Sequence, residues 1–114
     1  MWLLDHNLPR QLYEVFVSSL KISAETANNR QWETLENGAL VRAAVHAGFT
    51  CILTKDVRFR ESAAKTLLLY PDFSIVLITL KQQRGIHYAE AFLGAWKVAP
   101  ILPIPGQLVV WPEI

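Results

Sequence analysis

The segment that most limits the possible folds is FSIVLITL, at residues 73–80. A strand with one face in water alternates apolar and polar side chains, and this segment shows no such alternation. Strands that are apolar on both faces are typical of parallel sheets that helices cover on both sides. The segment therefore predicts a central strand of a three-layer α-β-α sandwich with a mostly parallel sheet.

Strand and helix patterns alternate along the rest of the chain. Strong apolar strands are predicted at WLL (residues 2–4) and FTCILT (49–54), and weaker ones at KISAET (21–26) and Leu108 to Trp111. Apolar residues at helical spacing predict helices over residues 7–20, 37–48, 57–70 and 84–96. The resulting order, β-α-(β)-α-β-α-β-α-(β), is that of an α/β fold.

Particular residues set the expected ends and faces of these elements. Asn7 is the predicted cap of the first helix, with Pro9 in its first turn, and Gly48 is the predicted stop of the second. The last helix is expected to present one apolar face formed by Ile86, Ala89, Phe92, Leu93 and Trp96. Three prolines in the tail restrict its strand to a sheet edge or to coil.

Composition narrows the class of protein. A length of 114 residues predicts one domain, 1–114, and 52% hydrophobic against 18% charged residues excludes a disordered chain. The formal charge of +1 does not by itself indicate nucleic acid. Because we find no signal segment, no apolar stretch of membrane-spanning length and only one cysteine, Cys51, we expect a cytoplasmic protein without membrane contact or disulfides.

Two of the predicted strands end on a carboxylate, Asp5 and Asp56. Ligands of open parallel sheets bind beyond the carboxyl ends of the strands, so both residues are candidates for one site. Two carboxylates about 4 Å apart repel by roughly 4 kcal/mol at an effective dielectric near 20. A cation such as Mg²⁺, which accepts one or two carboxylates, relieves that repulsion. For Asp56 an alternative stays open, since it is also well placed to cap the next helix.

Polar residues near these carboxylates are candidates for substrate binding. Lys55, Arg58 and Arg60 are predicted to form a basic rim that contacts phosphate, the alternative being an ion pair with Glu61. Thr54 is a candidate for orienting Asp56 or a metal-bound water. Asn7 and His6, which follow Asp5, are candidates for contacts with Asp5, with a phosphate or with an attacking water, or are simply a helix cap and a surface histidine.

Two segments resemble a family of small bacterial PIN-like proteins that occur in toxin–antitoxin settings. They are LLDHNLPRQL (residues 3–12) and WETLENGALVRAAVHAGFTCILTKD (residues 32–56). The family pattern is an apolar strand ending in Asp-x-Asn-Leu-Pro, a loop with Trp, Asn-Gly-acid-Leu at a helix start, and a strand closing on Thr-x-Asp. The resemblance covers most of residues 1–80.

The resemblance implies a PIN-like nuclease fold in which acidic residues hold Mg²⁺ or Mn²⁺ for RNA cleavage, with a cognate antitoxin as a further partner. By position, Asp5 and Asp56 match two of the catalytic, metal-binding acids. The third acid falls on Ala39, and Glu36, three residues earlier, is the candidate to replace it. The departure at Ala39 predicts weak metal binding and slow cleavage.

Other classes of protein are compatible with parts of this pattern. A non-catalytic RNA- or protein-binding regulatory domain would keep the fold and the basic edge, and the missing acid at Ala39 favours it. A receiver-type phosphoacceptor domain would need an acidic pair after the first strand, where His6 follows Asp5. Independently, the high apolar content with Trp96, Trp111 and the proline-rich tail predicts a homodimer formed through the C-terminal region.

Overall fold

Five parallel strands form a single sheet in the order β2-β1-β3-β4-β5 in the computed structural model, which describes residues 1–112. The strands are β1 (Trp2–Leu4), β2 (Ala24–Thr26), β3 (Cys51–Thr54), β4 (Ser74–Ile78) and β5 (Leu108–Trp111). The helices are α1 (Gln11–Glu14), which continues as a π-helical turn over Val15–Ser19, α2 (Asn37–His46), α3 (Phe59–Leu69) and α4 (Gly85–Val98).

Apolar cores lie on both faces of this sheet. Successive strand residues point to opposite faces, so Leu4 and Leu53 pack on the side of α1 and α4, while Leu3 and Ile52 pack on the side of α2 and α3. Every residue of β3 and β4 is buried. The predicted α/β sandwich with a parallel sheet is therefore confirmed. The side chains of β4 do not alternate between apolar and polar because both faces of the strand are buried.

The two weakly marked strands occupy the two edges of the sheet. β2 pairs only with β1, and β5 pairs only with β4, with Leu108 opposite Ile75. Of the two alternatives for Leu108–Trp111, an edge strand or coil, the edge strand is therefore the one observed. Pro100, Pro103 and Pro105 all precede β5, so none of them removes an N–H from the strand ladder.

The start of the first helix was predicted wrongly. Helix α1 begins at Gln11, and no side chain caps it at Arg10. Asn7 lies in a turn before the helix, where the N–H of Leu8 donates to the carbonyl of Asp5 at 3.1 Å. The Asn7 side chain is engaged with the ends of β1 and β3 instead, which removes it from the capping role.

The predicted apolar face of α4 is also partly wrong. Tyr88 and Phe92 are its buried residues, and Ile86 is exposed. Tyr88, which was not predicted, is buried with the other predicted residues of this face, which do pack on the core: Ala89, Phe92, Leu93 and Trp96. By contrast, α2 ends near Gly48 as predicted, and the φ of Gly48 is +93°, which favours glycine.

Within residues 1–112, no helix combines the length and the apolar character needed to cross a membrane.

Candidate functional site at the carboxyl edge of the sheet

The strands that precede the two candidate carboxylates are neighbours in the sheet. β1 pairs with β3 in parallel, with Leu4 opposite Leu53, and the N–H of Asp5 continues the ladder to the Leu53 carbonyl at 2.9 Å. Parallel strands end at the same edge, so Asp5 lies beside Thr54, two residues before Asp56. The pairing of β1 with β3 thus brings the residues after both strands to the same edge of the sheet.

The Asp5 side chain is only 3% exposed and fully hydrogen-bonded. Oδ2 accepts hydrogen bonds from Thr54 Oγ1 at 2.7 Å and Asn7 Nδ2 at 3.3 Å. Oδ1 accepts from the backbone N–H of His6 at 2.8 Å and lies 2.9 Å from His6 Nδ1. A carboxylate offers about four lone-pair directions, and here each has a partner. The hydrogen-bonding capacity of the Asp5 carboxylate is therefore filled by neighbouring groups of the protein.

Thr54 joins the two acidic positions. Its buried hydroxyl donates to Asp5 and accepts from the backbone N–H of Asp56 at 3.0 Å and from Asn7 Nδ2 at 3.2 Å. Asn7 completes the connection, because its Oδ1 accepts the backbone N–H of Lys55 at 3.0 Å. The side chains of Thr54 and Asn7 therefore fix the backbone after β1 relative to the backbone after β3.

Asp56 is held differently, by a single arginine. Its carboxylate accepts Arg58 Nε at 3.0 and 3.1 Å and Nη2 at 2.8 Å, as well as the Arg58 backbone N–H at 2.9 Å. These side-chain hydrogen bonds lower the pKa of Asp56, against the opposing effect of burial, and they raise the pKa of Arg58. Because Arg58 immediately precedes α3, Asp56 also has part of the predicted capping role.

Glu36 is connected to Asp56 through Arg58, which contacts both carboxylates. The Arg58 Nη2 atom lies 3.5 Å from Glu36 Oε1, and both side chains are more than half exposed. Glu36 is extended (φ −129°, ψ 147°) and precedes α2, so it does not share a helical face with Ala39. The Ala39 side chain is exposed in the first turn of α2, where the family pattern has its third acid.

The predicted basic rim is divided between the two faces of the sheet. Lys55 Nζ hydrogen-bonds to Gln82 Oε1 and lies 5.1 Å from the centre of the Tyr88 ring on α4, and burial lowers its pKa. Arg58 leads into α3 on the opposite face. Arg60 is exposed on α3, and within residues 1–112 no ion pair includes Arg60 or Glu61.

A groove that the sequence did not reveal opens beside Asp5. It consists of a cavity of about 510 Å³ and an adjoining one of about 530 Å³ at the carboxyl ends of β1 and β2. Its lining includes Asp5, His6, Arg10, Thr26, Asn28 and Asn29. The position of β2 could have revealed this groove. A strand paired with β1 brings the residues after Thr26 to the same edge as Asp5.

The carboxylates of Asp5 and Asp56 are suitable ligands for a divalent cation, but both are hydrogen-bonded to other groups of the protein. Two carboxylates on adjacent strand ends are sufficient protein ligands for Mg²⁺. Within residues 1–112, however, no three His, Cys, Asp or Glu side chains form a metal-binding group. Asp5 is saturated by its neighbours, and Asp56 by Arg58. A cation at Asp56 therefore competes with the Arg58 guanidinium, which is exposed enough to move away.

No family model matches the chain, and neither a curated protein nor a solved structure matches it significantly. The family resemblance therefore depends on the motifs around Asp5, Asn37 and Asp56 themselves.

Proposed function

We propose that this chain is a PIN-like, divalent-metal-dependent endoribonuclease whose cleavage is weakened by the loss of the acid at Ala39. The observation that supports the proposal is the pair of acidic strand ends, Asp5 and Asp56, joined through the buried hydroxyl of Thr54. The short motifs around these residues resemble those of toxins in toxin–antitoxin systems. RNA is the proposed substrate, a cognate antitoxin the proposed protein partner, and the cytoplasm the proposed location.

Each residue of the edge has a proposed role. Asp5 and Asp56 are the ligands of Mg²⁺ or Mn²⁺, which when bound lowers the pKa of water and neutralises charge on a phosphate. Thr54 and Asn7 position Asp5 by the hydrogen bonds described above. Arg58, Arg60 and Lys55 are the proposed contacts for the RNA backbone.

The groove beside Asp5 is the proposed path of the RNA. Arg10 supplies a planar cation suited to a phosphate or a guanine edge, and the amides of Asn28 and Asn29 supply paired donors and acceptors suited to bases. The groove starts at Asp5, so a strand bound in it passes one of the two proposed metal ligands; Asp56 does not line the groove.

The experiment compares cleavage of single-stranded RNA by four proteins in Mg²⁺ or Mn²⁺. Asp5→Asn should abolish metal-dependent cleavage because it removes a ligand, and Ala39→Glu should raise cleavage because it restores the third acid. Ala64→Glu, at an exposed position of α3, is the matched control and should leave the rate unchanged. Circular dichroism verifies the folding of each variant.

Two outcomes contradict the proposal at different points. Strong wild-type cleavage that Ala39→Glu does not change would mean that Glu36 or another group already supplies the third acid. Cleavage that survives Asp5→Asn would remove the metal site altogether.

A second candidate function is that of a non-catalytic RNA- or protein-binding regulatory domain. The observation that favours it is that Asp5 and Asp56 both have their hydrogen-bonding capacity filled within the chain. Such a protein should bind single-stranded RNA equally well in EDTA and in Mg²⁺, and Ala39→Glu should produce no cleavage.

A further inference from the structure

The guanidinium of Arg58 lies where it neutralises Asp56. Both carboxylate oxygens of Asp56 accept hydrogen bonds from Arg58 at 2.8–3.1 Å. The side-chain and backbone N–H groups of Arg58 occupy lone pairs on both carboxylate oxygens, so the guanidinium and a divalent cation compete for Asp56. This competition concerns the metal site of the proposed function and rests on it.

The structure also provides a second partner for Arg58 when it leaves Asp56. Glu36 Oε1 lies 3.5 Å from Arg58 Nη2, the same nitrogen that contacts Asp56 Oδ2 at 2.8 Å. Arg58 is 57% exposed whereas Asp56 is 16% exposed, so the guanidinium lies on the solvent side of the carboxylate. It can turn toward Glu36 without disturbing the core.

We propose that Arg58 is an internal counter-cation that competes with a divalent metal ion for Asp56 and transfers to Glu36 when the metal ion binds there. Arg58 therefore weakens metal binding in the free protein, and Glu36 acts as a positioning residue that receives the guanidinium. Glu36 does not contact the metal in this arrangement. This role differs from that of the missing third acid.

The first test measures Mn²⁺ binding by the electron paramagnetic resonance signal of free Mn²⁺. Arg58→Ala should raise the affinity about 3- to 10-fold, as expected for loss of one well-aligned exposed ion pair. Arg58→Lys, which keeps the charge and loses the planar fork, should give an intermediate affinity. Lys65→Ala removes an equal charge from an exposed position of α3 and controls for long-range repulsion, so it should stay close to wild type.

The second test is a double-mutant cycle between Arg58 and Glu36. Glu36→Gln should weaken Mn²⁺ binding in the wild-type background, because Arg58 then has no second partner. In the Arg58→Ala background the same substitution should have no effect. A ligand role for Glu36 predicts instead an equal loss in both backgrounds, which would overturn the proposed transfer.

The remaining outcomes separate this inference from the proposed function. If wild-type protein binds Mn²⁺ and Asp56→Asn abolishes binding, but Arg58→Ala and Lys65→Ala behave alike, the inference fails and the metal site stands. If no variant binds Mn²⁺, including Arg58→Ala, both the inference and the proposed metal site fail. Thermal unfolding of each variant verifies that the comparison concerns folded proteins.

Discussion

Asp56 and Arg58 couple protonation to stability at the scale of single residues. The folded-state pKa of Asp56 is lowered mainly by the Arg58 hydrogen bonds, so the pair stabilises the protein above the unfolded carboxyl pKa of about 3.9. That contribution is lost as the pH falls through the lower folded-state pKa. Arg58→Ala should therefore destabilise the protein more at pH 7 than in acid.

Urea unfolding of wild type, Arg58→Ala and Arg60→Ala at several pH values measures this difference, and carboxyl NMR follows Asp56 directly. In Arg58→Ala the Asp56 titration should move up toward the ordinary carboxyl range. A destabilisation that is independent of pH would mean that Arg58 acts through packing and not through its charge.

Tyr88 carries a buried hydroxyl for which the described residues provide no hydrogen-bond partner. Burial raises its pKa to about 12. Because an unpaired buried hydroxyl loses its hydration without compensation, Tyr88→Phe should increase the free energy of unfolding by about 1 kcal/mol. The half-buried Tyr13, changed to Phe, is the control and should have little effect; a loss of stability in Tyr88→Phe would indicate a bound water at the hydroxyl.

The sequence predicted some residues of the site because parallel topology determines their position. Asp5 and Asp56 follow the ends of two strong strands, and adjacent parallel strands necessarily end at one edge. The pairing of Arg58 with Asp56 was not predicted, since it depends on side-chain rotamers in the turn before α3. Arg10 and Asn28 were missed because β2 is short and its position beside β1 is not readable from composition.

Helix α3 provides a matched comparison at the scale of an element. Leu67 and Leu68 are adjacent and chemically identical, but Leu67 is 5% exposed in the core and Leu68 is 83% exposed. Leu67→Ala should destabilise the protein by about 2–5 kcal/mol, whereas Leu68→Ala should change stability by no more than about 0.5 kcal/mol. Urea unfolding measures both, and equal effects would mean that α3 is packed in a different rotation.

Element assignment succeeded where packing and periodicity agree. The unbroken apolar pattern of β4 predicted burial on both faces, and Gly48 marked the end of α2. The start of α1 was misplaced because asparagine is a common helix cap, whereas the Asn7 side chain here forms tertiary hydrogen bonds with Asp5 and Lys55. Local propensity gave no information about that competing use.

The whole molecule retains a candidate surface for self-association. Trp111 is buried against Phe92, with ring centres 4.8 Å apart, and Trp96 packs in the same aromatic cluster, so neither is the free contact that the sequence suggested. The exposed large apolar side chains of the C-terminal region are instead Val98, Leu102 and Ile104. A homodimer through this C-terminal segment remains our prediction.

Sedimentation equilibrium tests this prediction. Wild-type protein should form a dimer, and Leu102→Asp should shift it toward monomer because a charge would be buried in the contact. Leu68→Asp, at an exposed position on α3, is the control and should leave the dimer intact. A wild-type monomer at high protein concentration would contradict the prediction.

The sheet order has a consequence for synthesis on the ribosome. Of the five strands of this sheet, Trp2–Leu4 is translated first and is an interior strand with two partners. Ala24–Thr26 follows soon, but Cys51–Thr54 is translated about fifty residues later. A nascent chain therefore leaves one side of the apolar strand Trp2–Leu4 unpaired until Cys51–Thr54 emerges, and the sheet is completed only with Leu108–Trp111. Pairing of such distant segments slows folding and leaves unpaired strand edges open to aggregation. Chaperone dependence during translation should accordingly be greater than for a chain of this size with local strand pairing.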